Sequence, residues 1–302
     1  HGFMDCKYLD PQLKALFCFG DQQIFLPHVY RGCRRRRIPF VAYVGTAHSL
    51  DSNFKSKVMN ALFAAGTLRI YKKNPVLAKT SAAKEELRQL GVPHAVIAPV
   101  GLDTAVLKKN IPADEKMRLR KEHGFEADDV ILCNVSRLSW EKRPLELIDL
   151  FLQVKGKKKF KLIIVGNGPL EEELNEKIRK NGLEKEVKIY PNVPYEKMWE
   201  IYEMSDYYLN MNKGEIFGMA IMEAVYYKTS VAAIRALGPS VTLKDMKGHK
   251  LCENDDEMAE WITGPYPSEK DLQESSEKMA ATFTWDRCAD AFLQASSEKS
   301  SR

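Results

Sequence analysis

Short apolar runs alternate with stretches of helical spacing along most of the chain. That alternation predicts a parallel, doubly wound α/β architecture. Residues 38–44 (IPFVAYV) read as a buried strand ending at Gly45. Residues 55–68 have helical spacing at Val58, Leu62 and Ala65. Residues 75–80 read as a short strand running into a helix that Ser81 caps and Gly91 ends, and residues 95–100 as another strand. A segment at 104–115, rich in Lys, Asn, Pro and Asp, reads as a linker. Beyond it, strands are expected at 129–135, 160–166, 187–190, 206–210 and 229–234, the last being the final clear strand. Helices are expected at 144–154, with Pro144 in the first turn, at 171–181, ended by Gly182, and at 195–204 and 219–227. Two such runs about a linker predict two Rossmann-like lobes, with no internal repeat of fixed period and a polar tail over 296–302.

The 302 residues suffice for two α/β domains, and 44% apolar with 29% charged residues is the composition of a globular chain. No run of about eighteen apolar residues occurs, so no membrane-spanning helix is predicted. The start, from His1 to Cys6, has neither the basic flank nor the apolar core of a signal peptide and no initiator Met, so upstream sequence is expected to be missing. Cys6, Cys18, Cys33, Cys133, Cys252 and Cys288 form no C-x-x-C pair; free thiols in a reducing cytosol are expected rather than a zinc or redox motif. The net charge of +5 is uneven. Residues 1–110 hold 17 Lys+Arg against 7 Asp+Glu, a balance of +10, and the remainder holds 29 against 34, a balance of −5. A basic first third points to an anionic partner: a membrane surface, a phosphorylated lipid or nucleic acid. Within it, the run Arg34-Arg35-Arg36-Arg37 reads either as a contact for anionic lipid head groups or as a solvated cluster. The Lys-rich run at 155–159 follows a helix C-terminus, where cations complement the dipole, and reads as structural.

In open parallel sheets ligands bind beyond the carboxyl ends of the strands, so the residue types that follow each strand of the second lobe carry the information. After Val135 come Arg137 and Lys142, just before a helix start; two cations at the positive end of a helix suit a diphosphate, unless Arg137 is simply paired to Glu141. After Val165 comes Gly166-Asn167-Gly168-Pro169, where glycines would let a ligand approach the backbone, or would merely serve a tight turn. After Asn212 comes a loop holding Glu215, with a helix starting near Gly218 and Glu223 about one turn in. Met219, Met222, Glu223 and Tyr226 share one face of that helix. Its first amides, from Gly218 to Ala220, would cradle an anion, and the two carboxylates would accept bonds from sugar and ribose hydroxyls. The plainer reading makes Glu215 a dipole partner and Glu223 a surface residue, although Glu223 is flanked by apolar neighbours.

Taken in order, these loops resemble the donor lobe of family 4 retaining glycosyltransferases of the GT-B fold. Glu215 and Glu223 match the family's E-x7-E, Arg137 and Lys142 its R-x4-K pair, and Gly166 to Leu170 its glycine turn. Residues 96–103 resemble the segment closing the acceptor lobe, and Phe283-Thr284-Trp285 the start of a C-terminal helix that crosses back to it. The resemblance spans roughly 90–290 and implies an acceptor lobe over 1–105, a donor lobe over 106–282 and a returning helix over 283–302. It implies that Arg137 and Lys142 stabilise the leaving diphosphate. Glu215 would bond the donor sugar, with backbone at Phe217, Gly218, Met219 and Ala220. Glu223 would grip the ribose, backbone at Asn192 and Val193 would frame the base, and His48, in Gly45-Thr46-Ala47-His48, would face the donor sugar. Family members begin with a strand and a glycine-rich loop; before Gly45 the only glycines are Gly2, Gly20 and Gly32, so that portion is expected to be absent.

The function this implies is retaining transfer of a sugar from a nucleotide-diphosphate donor, UDP foremost, to a glycan or lipid-linked acceptor. Departure and attack would share one face of the sugar, driven by preorganised positive potential. No D-x-D motif suggests a metal, and none is expected; the protein is expected to be cytoplasmic or peripheral on the inner face of a membrane. Two other readings stay open: a nucleotide-sugar-binding protein without turnover, and a basic nucleic-acid-binding protein, though no recognised module or interleaved aromatics mark the arginine run. A nicotinamide dehydrogenase fits poorly, since no G-x-G-x-x-G follows a strand.

Overall fold

The computed structural model describes Asp10 and residues 12–19, 26–46 and 54–297; His48 and Cys6 lie outside the described residues. The chain divides into two compact units, one made of His1–Gly101 with Phe283–Arg302 and the other of Leu102–Thr282.

The first unit contains β1 (Leu16–Phe19), α1 (Leu26–Arg35), β2 (Phe40–Val44), α2 (Phe54–Ala65), α3 (Thr67–Tyr71), β3 (Val76–Ala78), α4 (Ser81–Gln89) and β4 (Val96–Ile97). Its sheet runs β1-β2-β3-β4, all parallel. Every residue of β2 and β3 is buried, the pattern of strands covered on both faces. One face, Phe40, Ala42, Val44, Val76 and Ala78, packs against Leu26, Val29 and Cys33 of α1, Phe63 of α2, Leu68 and Tyr71 of α3, and Leu87 of α4. These helices therefore form a single layer on that face. The helix expected over 55–68 is broken at Gly66, where Pro27 lies too close to admit a Cβ without adjustment. The cap of α4 is Thr80, whose hydroxyl accepts the Ala83 N–H at 3.0 Å, and not Ser81, which is already helical.

The second unit contains α5 (Glu115–Glu122), β5 (Val130–Val135), α6 (Pro144–Val154), β6 (Phe160–Val165), α7 (Glu171–Lys180), β7 (Val187–Tyr190), α8 (Met198–Met204), β8 (Tyr207–Asn210), α9 (Met219–Tyr226), β9 (Ser230–Ile234), α10 (Leu237–Thr242), β10 (Lys250–Cys252), α11 (Asp255–Thr263) and α12 (Glu269–Thr282). The expected 195–204 helix opens with a separate 3₁₀ turn, Tyr195–Lys197, and 229–234 is not the final strand, since β10 follows it. The sheet order is β10-β9-β8-β5-β6-β7, all parallel. Leu132, Leu162, Ile164, Leu209 and Ala232 join Ile148 and Phe151 of α6 and Leu174 of α7 in its core. α7 carries Glu171, Glu172 and Glu173 in its first turn and Lys177, Arg179 and Lys180 in its last, matching the helix dipole at both ends. At the amino end of the sheet, buried Arg120 donates to Met204 O and Asp129 O and pairs with Asp206, which also accepts from Lys116 and from the Ile131 N–H.

α13 (Trp285–Ser297) returns to the first unit. It covers the other sheet face, packing Cys288, Phe292 and Ala295 on Val41, Tyr43 and Leu77. The lysine run lies between α6 and β6: Lys155 pairs with Glu186, Lys158 donates to Ile262 O and Gly264 O, and Lys159 pairs with Asp128, while Lys157 is exposed. Cys33, Cys133, Cys252 and Cys288 are buried thiols and Cys18 a half-buried one.

Candidate functional site

In the second unit the chain builds outward from β5 to β6 and β7, then crosses back to place β8 on the far side of β5. Strand order therefore reverses between β5 and β8, the point where open α/β sheets hold their ligands. The two loops that leave the carboxyl edge there are residues 136–143 and 211–218, and they contain Arg137, Lys142 and Glu215.

The first loop is shaped by Arg143. Its backbone is left-handed (φ 55°), at the end of a 3₁₀ turn over Trp140–Lys142. Its guanidinium grips Asp255 with two bonds, 3.1 and 2.8 Å, and donates to Met211 O at 3.3 Å, tying the loop to α11 and to the neighbouring loop. Lys142 is thereby aimed across the switch point. Its ammonium meets Glu215 Oε2 at 2.8 Å. Arg137 stands exposed, with no hydrogen bond or ion pair to another described residue. The pairing with Glu141 does not form; Glu141 instead accepts the Ser139 hydroxyl at 2.6 Å.

The second loop folds around Asn212. Its carbonyl oxygen accepts the Gly214 N–H at 2.9 Å and its amide donates to Glu215 Oε2 at 3.0 Å. Burial pushes the Glu215 carboxyl up, but the Lys142 ammonium, the Asn212 amide and the Phe217 N–H together outweigh burial and hold it below its ordinary range. Gly218, at φ 86°, caps α9, and Ile221 fills the space a Cβ would take. In the first turn beyond it the amides of Met219, Ala220 and Ile221 have no intrahelical acceptor. Phe217 is buried, while Met219 is exposed and Ala220 half-buried.

Glu223 stands one turn further on, 8% exposed. Burial pushes its carboxyl above the ordinary range, against the Tyr202 and Tyr195 hydroxyls, which donate to it at 2.8 and 3.5 Å. Met222 on the same face is fully buried. A shallow pocket opens beside Glu223, lined by Lys108, Tyr195, Trp199, Tyr202 and Tyr227. The E-x7-E spacing thus puts its two acids in opposite states: Glu215 ion-paired at the sheet edge, Glu223 desolvated among tyrosines. Spacing within the sequence pointed to neither tyrosine, because Tyr202 sits on α8, 21 residues before its partner.

Gly166 and Gly168 are glycines for a reason other than ligand approach. A Cβ on Gly166, at φ 138°, would lie 1.9 Å from Ser136 O, and one on Gly168 would lie 2.4 Å from Leu138 O. The backbones of the loops after β5 and β6 are in contact, with Leu138 N donating to Asn167 O at 2.9 Å and Leu170 N to Leu138 O at 3.0 Å. The glycines therefore hold the 136–143 loop in place. Asn167 also donates to Pro191 O at 3.1 Å, so the loop after β7, with exposed Asn192 and half-buried Val193, joins the same edge. The loops after the sheet neighbours β8, β5, β6 and β7 carry Glu215, Phe217 and Gly218, Arg137 and Lys142, Gly166 and Gly168, and Asn192 and Val193, while Met219, Ala220 and Glu223 lie on α9; His48 lies outside the described residues.

Parallel doubly wound units of this kind occur in the GT-B class of glycosyltransferases. The chain belongs to the family described as glycosyl transferases group 1, whose model matches residues 115–279. It is 26% identical over 288 residues to the D-inositol 3-phosphate glycosyltransferase of Mycobacterium avium (strain 104), an alignment covering 84% of this chain and 63% of that protein. It therefore spans under two thirds of the length of that relative. Among solved structures it resembles Anabaena Alr3699/HepE in complex with UDP-glucose (TM-score 0.73, 19% identity, covering 95% of this chain and 79% of that one). It also resembles the sucrose-phosphate synthase of Thermosynechococcus elongatus (TM-score 0.75, 17% identity, 94% and 74% covered). At such identities the likeness concerns the fold.

Proposed function

We propose that the second unit binds a nucleoside diphosphate sugar and that the protein transfers the sugar with retention of configuration. The observation that carries this is the Lys142–Glu215 bond across the switch point, set beside exposed Arg137 and the first turn of α9. Two cations and a row of helix-terminal amides suit a diphosphate. As the bond from sugar to diphosphate breaks, negative charge grows on the leaving phosphate, and fixed positive groups lower the barrier; one such donor is worth roughly 2.7–4 kcal/mol in analogous sites. Arg137 and Lys142 fill that role in our reading, with backbone at Phe217, Gly218, Met219 and Ala220. Glu215, kept ionised, accepts a hydroxyl of the donor sugar. Glu223 accepts from the ribose with Oε1, whose bond to Tyr195 is long, while Tyr202 holds Oε2. Backbone at Asn192 and Val193 frames the base, and Gly166 and Gly168 keep the diphosphate loop in register.

The acceptor hydroxyl attacks on the face from which the diphosphate departs, and no metal takes part. UDP is the first choice of donor nucleotide, supported by the UDP-glucose in the HepE complex; the acceptor is a glycan or a lipid-linked sugar. Calorimetric titration of UDP, GDP and ADP into the protein tests the reading. One nucleotide should bind selectively, and Arg137→Ala, with an unchanged melting temperature, should weaken it at least tenfold. A folded protein that binds none of the three would refute the donor site.

A further inference from the structure

The helix layer of the first unit has a charge distribution that the donor site leaves unused. Between Leu26 and Thr80 the sequence holds eleven Lys+Arg against one acid, Asp51, which lies outside the described residues. α1 buries Leu26, Val29, Gly32 and Cys33, and so turns Arg31, Arg34 and Arg35 outward; α3 buries Thr67, Leu68 and Tyr71 and leaves Arg69 exposed. None of these four arginines has a carboxylate partner among the described residues. The two helices adjoin, since Pro27 of α1 meets Gly66 at the start of α3, and both pack on the same sheet face. α2, in the same layer, presents the opposite chemistry: Val58 and Leu62, one turn apart, are 42% and 49% exposed, flanked by exposed Ala61 and Ala65.

A helix C-terminus is complemented by one or two cations. It does not account for unpaired arginines on two helices, nor for a large aliphatic pair left in water beside them. A positive layer with a protruding apolar ridge is the form of a surface that rests on a bilayer, where cations meet anionic head groups and aliphatic side chains enter the head-group boundary. Nucleic acid would use the charge but has no use for the aliphatic ridge, and among the described side chains of these helices Tyr30, Phe63 and Tyr71 are at least partly buried, leaving His28 as the exposed ring. We propose that the outer face of α1, α2 and α3 is a docking surface for an anionic lipid membrane. The four-arginine run at 34–37 is then one part of a larger surface that reaches α3 through Arg69 and α2 through Val58 and Leu62. The surface lies in the first unit and uses no donor-site residue, so it stands or falls independently of the donor reading.

Flotation of the full chain with phosphatidylcholine vesicles, with and without phosphatidylglycerol, at low and high salt, tests this. Binding should require phosphatidylglycerol and fall steeply with salt. Each cation contributes about fivefold, so Arg34→Ser/Arg35→Ser/Arg69→Ser should weaken binding about a hundredfold. Leu62→Ser should weaken vesicle binding but leave retention on a single-stranded oligonucleotide unchanged. All substituted side chains are exposed, and circular dichroism together with an unaltered melting temperature verifies that the variants remain folded. Equal binding to vesicles lacking phosphatidylglycerol, or no loss in the triple variant, overturns the proposal. So does an oligonucleotide held as tightly as vesicles with Leu62→Ser without effect on either.

Discussion

Replacing Lys142 by Met should raise the Glu215 carboxyl. Methionine keeps the apolar stem and removes the ammonium. The bond it breaks is 2.8 Å long, between side chains 24% and 16% exposed. At an effective dielectric constant of about 20 the bare attraction of such a pair is ~6 kcal/mol, most of it offset by desolvation, and charge-assisted bonds of this kind measure about 1.5–3 kcal/mol net. The coupling free energy from a cycle of Lys142→Met, Glu215→Gln and the double variant should fall in that range. The titration is the sharper readout. Burial is the largest influence on Glu215 and drives its carboxyl upward, and it is outweighed only because Lys142 acts together with Asn212 and Phe217. Without Lys142 two of the lowering influences are gone, and the carboxyl moves up.

The sign of the pH dependence follows. In the parent protein the folded carboxyl is depressed, so its contribution is present above the unfolded carboxylate value and is lost as pH falls through the folded one. In Lys142→Met the folded value is less depressed, so the contribution at neutral pH is smaller and is lost at a higher pH as the solution is acidified. Urea unfolding of the four proteins across the acid range, with carbon-detected NMR of labelled glutamate, measures both quantities. A coupling below about 0.5 kcal/mol, or a Glu215 titration unmoved in the variant, would refute the assignment of Lys142 as the group that keeps Glu215 ionised.

Two further outcomes rest on other parts of the second unit. Gly166→Ala places a methyl 1.9 Å from Ser136 O at a backbone angle of φ 138°, so it should cost at least ~2 kcal/mol in urea unfolding and, by shifting the Arg137 loop, weaken nucleotide binding disproportionately; stability and affinity both unchanged would sink the loop-packing account. His249 accepts the Val231 N–H at Nδ1, and burial lowers its folded value to about 4 from an ordinary 6.5. Its contribution should be complete above pH 6.5 and be lost, by roughly 3 kcal/mol, as pH falls to about 4, a loss that His249→Gln should abolish and that parallel pH curves would disprove.

The second unit was legible because its strands are continuous apolar runs, as a sheet covered on both faces requires, and because the loops after them concentrate glycines and charges. β10 escaped because it is three residues long and begins with a lysine. α1 escaped because Pro27, Gly32 and its arginines mask a four-residue buried stripe. At the site, the residue types that face solvent or a ligand could be read from loop position, but the partners that set their state could not. Asp255 clamps Arg143 from 112 residues away, and Tyr202 reaches Glu223 from another helix. Gly166 and Gly168 were visible as glycines, but only the approach of the 136–138 backbone explains why they are needed.

The return of α13 makes the first unit discontinuous, and this sets an order on its formation. Cys288 meets Tyr43 across 245 positions of sequence, with the whole second unit in between. At ~5–20 residues per second on the ribosome, the 181 residues from Leu102 to Thr282 take roughly ten to forty seconds to emerge. For that interval the Val41–Tyr43–Leu77 face of the nascent first unit lacks its covering helix, and at its end the second unit holds every residue of its own core. The second unit therefore completes its core before the unit that precedes it in sequence, and a chaperone that shields an apolar sheet face during synthesis would find one on the first unit.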